Sequence, residues 1–279
     1  MSEINIKKGD ILNNTELCEV FLCSTQGGMR KSNTTNTLVL ISNHLGDNVY
    51  EDKWIDGVFH YTGMGQTGDQ DINWAQNRTL AESQTNNVEV HLFEVFNNGE
   101  YTYQGQVHLV VEPYKDKQAD LNGVLREVYI FPLALNDNEK PTIIREEDYR
   151  EKVERQEKAA KRISNDELAD RIKYIPNEVG QREVKSTAYE RNPLVAEYAR
   201  RRANGVCELC REEAPFKKND GTPYLEIHHV KWLANKGEDN ISNAVALCPN
   251  CHRKMHILNL PEDVGYLLGI KKKIDSLED

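Results

Sequence analysis

The chain has 279 residues, of which 38% are hydrophobic and 29% are charged, and its net charge is −10 at neutral pH. No apolar run approaches the roughly 20 residues that span a bilayer. The first residues lack the apolar core and cleavage site of a secretory signal, so we expect a cytoplasmic, reduced protein without a membrane partner.

Residues 1–136 are predicted to be rich in β-strands. Short runs of Val, Leu, Ile, Phe and Tyr recur there, some alternate with polar residues, and glycine-containing breaks separate them. Asn98-Gly99 is typical of a hairpin turn because both residues tolerate positive φ. Residues 77–83 indicate a short helix, and the glycine-containing stretch 59–70 is either a recognition loop or a plain connection. The predicted strands cover 17–23, 37–42, 88–96, 101–111 and 125–135.

Residues 137–191 change in character. Nearly every second residue from 146 to 173 is charged, and several opposite charges lie four residues apart, as on a solvated helix. We interpret this segment as a helical linker, with a share in dimerisation as the less favoured alternative. Residues 192–260 are predicted to form a second domain, with Asn192-Pro193 at the start of a helix over 194–203. Residues 261–279 are interpreted as a charged tail.

Four of the six cysteines form two CxxC pairs. Cys207 and Cys210 make the first pair, and Cys248 and Cys251 make the second. Two pairs at this spacing can converge as a tetrahedral four-thiolate site, whereas a single pair would also suit redox chemistry. A domain of about 70 residues has a small core, so a structural Zn²⁺ would contribute much of its folding free energy. The pattern therefore predicts a zinc site.

Four of the eight histidines lie near the second cysteine pair. His228 and His229 are adjacent at the end of a predicted strand over 224–230, so their side chains point to opposite faces. His252 and His256 are four residues apart on a predicted helix and share one face. One of the adjacent histidines can therefore join the helix pair around a divalent ion, which leaves the other to activate water.

These residues resemble the HNH (ββα-metal) nuclease family over residues 192–256. The resemblance rests on the adjacent histidines, an Asn nine residues before a His, and the motif CPNCHxxxH. It implies that His229 is the general base, that Asn243 fixes the loop holding this base, and that Glu226 has an orienting role. The four cysteines match the structural zinc of the cysteine-containing branch. The implied ligands of a catalytic divalent ion, Mg²⁺ or another ion such as Mn²⁺, are His228, His252 and His256.

The first 136 residues resemble the SRA (YDG-type) domain, a PUA-like β-barrel that flips a modified cytosine out of DNA. The chain as a whole is thus predicted to be α+β, with an SRA-like β-barrel, a charged helical linker and a C-terminal ββα-metal domain. The spacing departs from the SRA pattern by a residue or so between Tyr50 and Tyr61. The matching segments are GGMRKS at 27–32, the predicted strand over 37–42, VYED at 49–52, FHYTGMGQTGDQ at 59–70, QNRTLAES at 76–83 and YTYQGQV at 101–107.

The SRA resemblance implies a pocket that stacks a flipped base on aromatic rings and reads its polar edge. Tyr50 and Tyr61 are the stacking candidates, with packing inside the barrel as the alternative for each. Asp52 and Thr62 are the polar candidates, since a carboxylate can accept from the cytosine N4 amine. Asp56 is a rival for Asp52 because the spacing departs there. The candidates for contacts to DNA phosphates are Arg30, Lys31 and Arg78.

The two resemblances together predict a modification-dependent restriction endonuclease. Its partner would be foreign double-stranded DNA carrying 5-methyl- or 5-hydroxymethylcytosine. One HNH site cuts one strand, so double-strand cleavage would need a homodimer or two successive nicks. In one alternative the N-terminal domain reads another mark, such as a phosphorothioate, or a plain sequence. In the other, the HNH fold is a zinc-stabilised DNA-binding scaffold without catalysis.

Charge distribution bears on the DNA partner. Residues 1–136 carry nine basic against 18 acidic residues, which counts against DNA binding by this half, while residues 192–260 carry ten against eight. Non-specific phosphate binding depends on local basic patches rather than on the total charge. The acidic balance therefore weakens the DNA interpretation without excluding it.

Overall fold

A computed structural model describes residues 4–45, 50–136, 139–175 and 178–275, with side chains up to residue 270. The chain divides into two compact units, Met1–Ser186 and Thr187–Asp279. Helices and strands occur in both units, which confirms the α+β fold class. Val49 of the VYED segment lies outside the described residues. A search of the described helices finds none with the length and apolar character of a membrane span.

A nine-stranded mixed sheet forms the body of the first unit. Its main path runs in the order β2-β3-β6-β7-β9-β5-β4, while β1 pairs with β7 and β8 pairs with β9. The β3–β6 pair is parallel, and the other pairs of this sheet are antiparallel. The strands are β1 (Ile11–Leu12), β2 (Met29–Ser32), β3 (Thr37–Asn43), β4 (Lys53–Ile55), β5 (Val58–Thr62), β6 (Glu89–Asn97), β7 (Glu100–Leu109), β8 (Tyr114–Ala119) and β9 (Leu125–Leu135).

The sheet encloses one apolar cluster and supports a second. Phe59, Leu92 and Phe131 are fully buried in the larger cluster, and Phe93 is fully buried in the smaller one. The predicted hairpin joins β6 and β7, where Gly99 adopts a φ of +79°. The short helix predicted over residues 77–83 is present as α2 (Ala75–Ala81). Alternate side chains of a strand lie on the same face of the sheet, so the apolar ones are buried together in these clusters. Their burial stabilises the pairing of the strands into one sheet.

The prediction of a strand over residues 17–23 was wrong. The chain forms a helix there, α1 (Asn14–Phe21), which packs under the sheet. Asn13 caps it by accepting from the backbone N–H of Glu16, whose carboxylate accepts in turn from the Asn13 N–H. This capping box satisfies free N–H groups of the first turn. Leu17 and Phe21 then lie one turn apart on the buried face, and this spacing overrides the β propensity of Val and Phe.

The charged segment after β9 is part of the first compact unit. It contains β10 (Ile144–Arg145), α3 (Glu146–Ala160), α4 (Asn165–Ile172) and β11 (Val184–Lys185), and β10 pairs with β11 in parallel. Arg182 Nη1 donates to Glu94 Oε2 at 2.6 Å, and both side chains are buried. Burial alone would raise the pKa of Glu94, but Arg182 and His44 hold it at about 2.

The second unit contains a two-stranded antiparallel sheet with helices. In this sheet His228 pairs with Val245 and His229 with Ala244. Residues 261–275, expected as a tail, form a helix whose Leu267 is buried in the apolar cluster of this unit. The elements are α5 (Pro193–Ala203), β12 (Glu226–His229), a 3₁₀ turn (Leu233–Asn235), β13 (Ala244–Leu247), α6 (Pro249–Ile257) and α7 (Pro261–Asp275).

Candidate active site

The two CxxC pairs meet in one cluster. The four Sγ atoms of Cys207, Cys210, Cys248 and Cys251 all lie within 4.8 Å of one another. The first pair follows Gly205, whose φ of +80° turns the chain out of α5, and Cys248 is the N-cap of α6. Four thiolates at this separation form a candidate site for a tetrahedrally coordinated metal ion.

A buried ion pair supports the first CxxC loop. The Arg202 guanidinium binds both carboxylate oxygens of Glu208 at 2.8 and 2.9 Å, and it also donates to the carbonyl of Ala244 at 2.7 Å. Glu208 accepts a further bond from the Ala246 N–H at 2.7 Å. Helix α5, the CxxC loop and β13 are therefore joined through two side chains, independently of a metal.

Three histidines form a second candidate metal site. His228 on β12 and His252 and His256 on α6 place nitrogen atoms within 4.8 Å of one another. His228 is 2% exposed, and its Nε2 has no hydrogen-bond partner among the described residues. Burial, with smaller contributions from the neighbouring imidazoles, lowers the pKa of His228 to about 3. A neutral imidazole with a buried, unpaired nitrogen is suited to bind a metal ion.

Glu226 contacts one member of this cluster. Its carboxylate accepts from Nδ1 of His252 and, at 3.0 Å, from the hydroxyl of Tyr224. The hydrogen bond from His252 is the main cause that lowers the pKa of Glu226. Because Nδ1 of His252 is engaged, its Nε2 is the nitrogen directed to the other histidines. Glu226 therefore orients a candidate ligand, as carboxylates commonly do around metal sites.

Asn243 fixes the loop between β12 and β13. Its amide donates to the carbonyls of Lys231 at 2.9 Å and Glu238 at 2.7 Å, and its Oδ1 accepts from the Lys231 N–H at 2.8 Å. The loop is narrow, since a Cβ at Gly237 would lie 2.0 Å from the Lys231 carbonyl oxygen. Asn243 therefore holds both ends of the loop that follows His229.

His229 stands apart from the three-histidine cluster. It is 6% exposed, and its Nε2 lies 2.8 Å from Oδ1 of Asp239. His228 and His229 follow one another on β12, yet both line a cavity of about 140 Å³ together with Arg191 and Trp232. Sequence reasoning did not select Asp239 or Arg191. The only signal for Asp239 was an acidic residue four positions before Asn243.

The candidate base-pocket residues of the first unit do not all meet in one cavity. Tyr50, Asp52 and Gln118 line a space of about 450 Å³, with Lys152 of α3 on its wall. Tyr50 donates to the Gly65 carbonyl at 3.2 Å. Asp52 is buried and accepts from the Thr62 N–H at 2.8 Å, and its burial raises the pKa to about 6.

Tyr61 and Asp56 lie elsewhere. Tyr61 packs in the larger apolar cluster, and its hydroxyl donates to the Gly28 carbonyl at 2.9 Å. Asp56 is exposed in the turn between β4 and β5, with a φ of +47°. Of the two aspartates, Asp52 is the one that lines the cavity.

The three candidate phosphate contacts differ in exposure. Arg30 is 5% exposed and donates to the Gly27 carbonyl and to the side chain of Asn14, so it braces α1 against β2. Lys31 is exposed on β2. Arg78 is exposed and pairs with Glu82 one helical turn away. Lys31 and Arg78 are therefore the candidates that present a cation to solvent.

The two units define a protein that joins an SRA-type domain to an HNH domain. The family of ScoMcrA-like SRA domains matches residues 8–156, and the HNH endonuclease family matches residues 207–257. The first match covers more than half of the sequence, so the chain belongs to the ScoMcrA-like SRA-domain family.

Three individual proteins illustrate these similarities. The chain is 52% identical over 68 residues to the type IV methyl-directed restriction enzyme EcoKMcrA of Escherichia coli (strain K12), a match that covers 24% of each protein. The type IV phosphorothioation-dependent restriction endonuclease ScoMcrA is 17% identical with a TM-score of 0.40, and the match covers 96% of this chain and 63% of that one. The SUVH5 SRA domain, in complex with fully methylated CG DNA, is 20% identical with a TM-score of 0.38, and the match covers 50% and 94%. The chain thus spans about a quarter of the curated relative's length.

Proposed function

We propose that this chain is a modification-dependent DNA endonuclease. Its first unit would read a modified cytosine, and its second unit would hydrolyse phosphodiester bonds. The main observation behind the proposal is the arrangement of four histidines. His228, His252 and His256 form one cluster, whereas His229 lies outside it and contacts Asp239. The HNH family match and the similarity to a methyl-directed restriction enzyme support it.

The donor sets fit two different ions. Four thiolates suit Zn²⁺, which would hold the second unit together. His228, His252 and His256 offer three imidazoles, and imidazole suits transition ions better than it suits Mg²⁺. Of the two ions expected, Mn²⁺ fits this cluster better than Mg²⁺, although it binds imidazole less tightly than the later divalent transition ions do. When bound, the ion would stabilise the negative charge that develops on the phosphate.

In this proposal His229 takes a proton from the attacking water. It lies beside the cluster rather than in it, so its lone pair is not used for a metal. Asn243 holds the loop that follows His229 and thereby keeps the imidazole of His229 in place. Glu226 holds His252 in its orientation. General-base catalysis of this kind contributes about 10²–10⁴-fold to a rate.

Tyr50 and Asp52 would form the base-reading site. Both line the cavity of about 450 Å³ in the first unit. With a pKa of about 6, Asp52 is mainly ionised at neutral pH and could accept from the N4 amine of a flipped cytosine. Tyr50 supplies a ring for stacking, and Thr62 holds Asp52 through its backbone N–H. We propose 5-methyl- or 5-hydroxymethylcytosine as the base.

Digestion of matched plasmids tests the function. One plasmid is unmodified, one carries 5-methylcytosine, one carries 5-hydroxymethylcytosine and one carries phosphorothioates, and each is incubated with Mn²⁺ or Mg²⁺. Cleavage of the cytosine-modified plasmids alone supports the proposal. Cleavage of the phosphorothioate plasmid alone supports the other reader, equal cleavage of all four removes modification dependence, and no cleavage favours the non-catalytic scaffold. The ratio of nicked to linear product shows whether one strand or both are cut, as a homodimer would allow.

His229→Ala tests the nuclease assignment. Cleavage should fall at least 10²-fold because the general base is lost, while zinc content and the folded state, measured by circular dichroism, are retained. His108→Ala is the matched control, since His108 is an exposed histidine of the first unit. Wild-type cleavage by His229→Ala would refute the assignment of the base.

A further inference from the structure

We propose that Asp239 is a positioning residue that sets the orientation and tautomer of His229. The inference rests on the proposed function, because it deepens the role of the same imidazole. Its basis is the contact of 2.8 Å between Asp239 Oδ1 and His229 Nε2. The Asp239 side chain is 23% exposed and that of His229 is 5% exposed, so the contact lies at the wall of the site rather than in open solvent.

Asp239 is itself held in place. Its second oxygen, Oδ2, accepts from the backbone N–H of Asn192, the N-cap of α5, at 2.5 Å. The loop position before it is fixed, since Asn243 donates to the Glu238 carbonyl. The carboxylate therefore bridges the start of α5 and the imidazole on β12. Such a fixed acceptor can orient a side chain at no further entropic cost.

The direction of the hydrogen bond has a chemical consequence. Asp239 accepts, so His229 must carry its proton on Nε2, which leaves the lone pair on Nδ1. In hydrolysis the water proton moves to Nδ1, the water oxygen forms the new P–O bond, the ester P–O bond breaks, and the departing oxygen takes a proton from solvent. The imidazolium then releases its Nδ1 proton to solvent, which restores the base. The carboxylate stays ionised throughout and keeps the ring in the productive tautomer, as orienting carboxylates do for other histidine bases.

A neighbouring acid provides a matched control. Glu238 precedes Asp239 in the same loop and carries the same charge, but its carboxylate accepts from the side chain of Asn240 rather than from His229. If only the negative charge of the loop mattered, replacing either Asp239 or Glu238 would change the cleavage rate to the same extent. Positioning of the base predicts an effect of Asp239 alone.

The test compares Asp239→Ala, Asp239→Asn and Glu238→Gln in the full chain, loaded with Zn²⁺ and supplied with Mn²⁺. In single-turnover cleavage of a 5-methylcytosine plasmid, Asp239→Ala should lower the rate constant about 10–100-fold, as loss of orienting partners does at metal sites. DNA affinity should stay within about twofold, since Asp239 would not contact the DNA. Asp239→Asn should lose at least as much, because its single amide oxygen cannot accept from both Nε2 and the Asn192 N–H, and an NH₂ group facing the imidazole favours the other tautomer. Glu238→Gln should leave the rate unchanged.

Two further readouts separate positioning from a merely structural role. In the His229→Ala background, Asp239→Ala should cause no further loss of the residual rate, because its effect passes through the imidazole. Long-range ¹H–¹⁵N NMR should show the Nε2–H tautomer for His229 in the wild type and a mixed state in Asp239→Ala. An additive loss, an unchanged tautomer or an equal effect of Glu238→Gln would overturn the inference. If the wild type cuts no DNA, the proposed function fails, and the tautomer still decides whether Asp239 positions His229.

Discussion

Replacement of Asp52 by Asn should stabilise the first unit at alkaline pH. The Asp52 carboxylate is 8% exposed, and it accepts from the Thr62 N–H and from the side chain of Ser42. Burial outweighs these bonds and raises the pKa from 3.8 to about 6. An Asn side chain has the same shape, accepts from Thr62 through its oxygen and can donate to the Ser42 hydroxyl. The substitution therefore removes the negative charge of Asp52 and keeps these hydrogen bonds.

The sign and size follow from the shift in pKa. A raised pKa means that the folded state binds the proton more tightly than the unfolded state. The stabilising effect of the protonated Asp52 is complete below pH 3.8 and is lost as the pH rises through 6. A shift of about two units corresponds to about 3 kcal/mol. Asp52→Asn should therefore raise the free energy of unfolding by about 3 kcal/mol at pH 8 and by about half of that at pH 5.

Hydrogen exchange in increasing urea measures this effect in the first unit alone. The peptides of β3 and β6 report its opening separately from that of the second unit. Asp56→Asn serves as the control, since this neighbouring aspartate is exposed. The reasoning is refuted if Asp52→Asn stabilises equally at both pH values or destabilises the unit at pH 8.

The same substitution should weaken DNA binding. If Asp52 accepts from the cytosine amine, the lost contact costs about 1–3 kcal/mol, or about 5- to 150-fold in the affinity for modified DNA. Fluorescence anisotropy with a methylated and an unmodified duplex measures this. A gain in stability together with a loss of affinity would mark Asp52 as a residue retained for binding at the expense of stability.

Three substitutions in the second unit have distinct expected outcomes. Cys248→Ser should remove the bound zinc, measured by mass spectrometry, and unfold this unit while β3 and β6 keep their protection; retention of zinc would contradict the four-thiolate site. Arg202→Met should lower the free energy of unfolding of this unit by about 3–5 kcal/mol, because Glu208 stays buried without a cation. Arg202→Met/Glu208→Gln should recover part of this loss, because the neutral amide oxygen can still accept from the Ala246 N–H. His228→Ala should lower Mn²⁺ affinity at least about tenfold by calorimetry without loss of zinc, and unchanged affinity would exclude His228 as a ligand.

Spacing alone predicted the clustering of the cysteines and histidines. Two CxxC pairs and an i,i+4 histidine pair are local patterns, and the geometry of a turn or helix fixes what they bring together. The same holds for the β6–β7 hairpin, because Asn98-Gly99 determines the turn. Features set by a few adjacent residues were therefore accessible from the sequence.

Tertiary contacts set the features that the sequence did not reveal. Residues 17–23 have the composition of a strand, but the capping box at Asn13 and the burial of Leu17 and Phe21 favour a helix. The contact between Asp239 and His229, ten residues apart, depends on the loop folding back onto β12, which no local pattern in the sequence indicates. Tyr61 matched a pocket motif, yet its ring packs in the core, since alternation along β5 turns it away from Thr62.

The ion pair between Arg182 and Glu94 determines where this chain can be shortened. A fragment of the first unit that stops at residue 136, after the last long strand, would leave the buried Glu94 carboxylate without the Arg182 guanidinium. Removing one partner of a buried pair costs about 3–5 kcal/mol, a large part of the stability of a small domain. A fragment extended to Ser186 retains both partners. Structural work on the isolated first unit should therefore begin from the longer fragment.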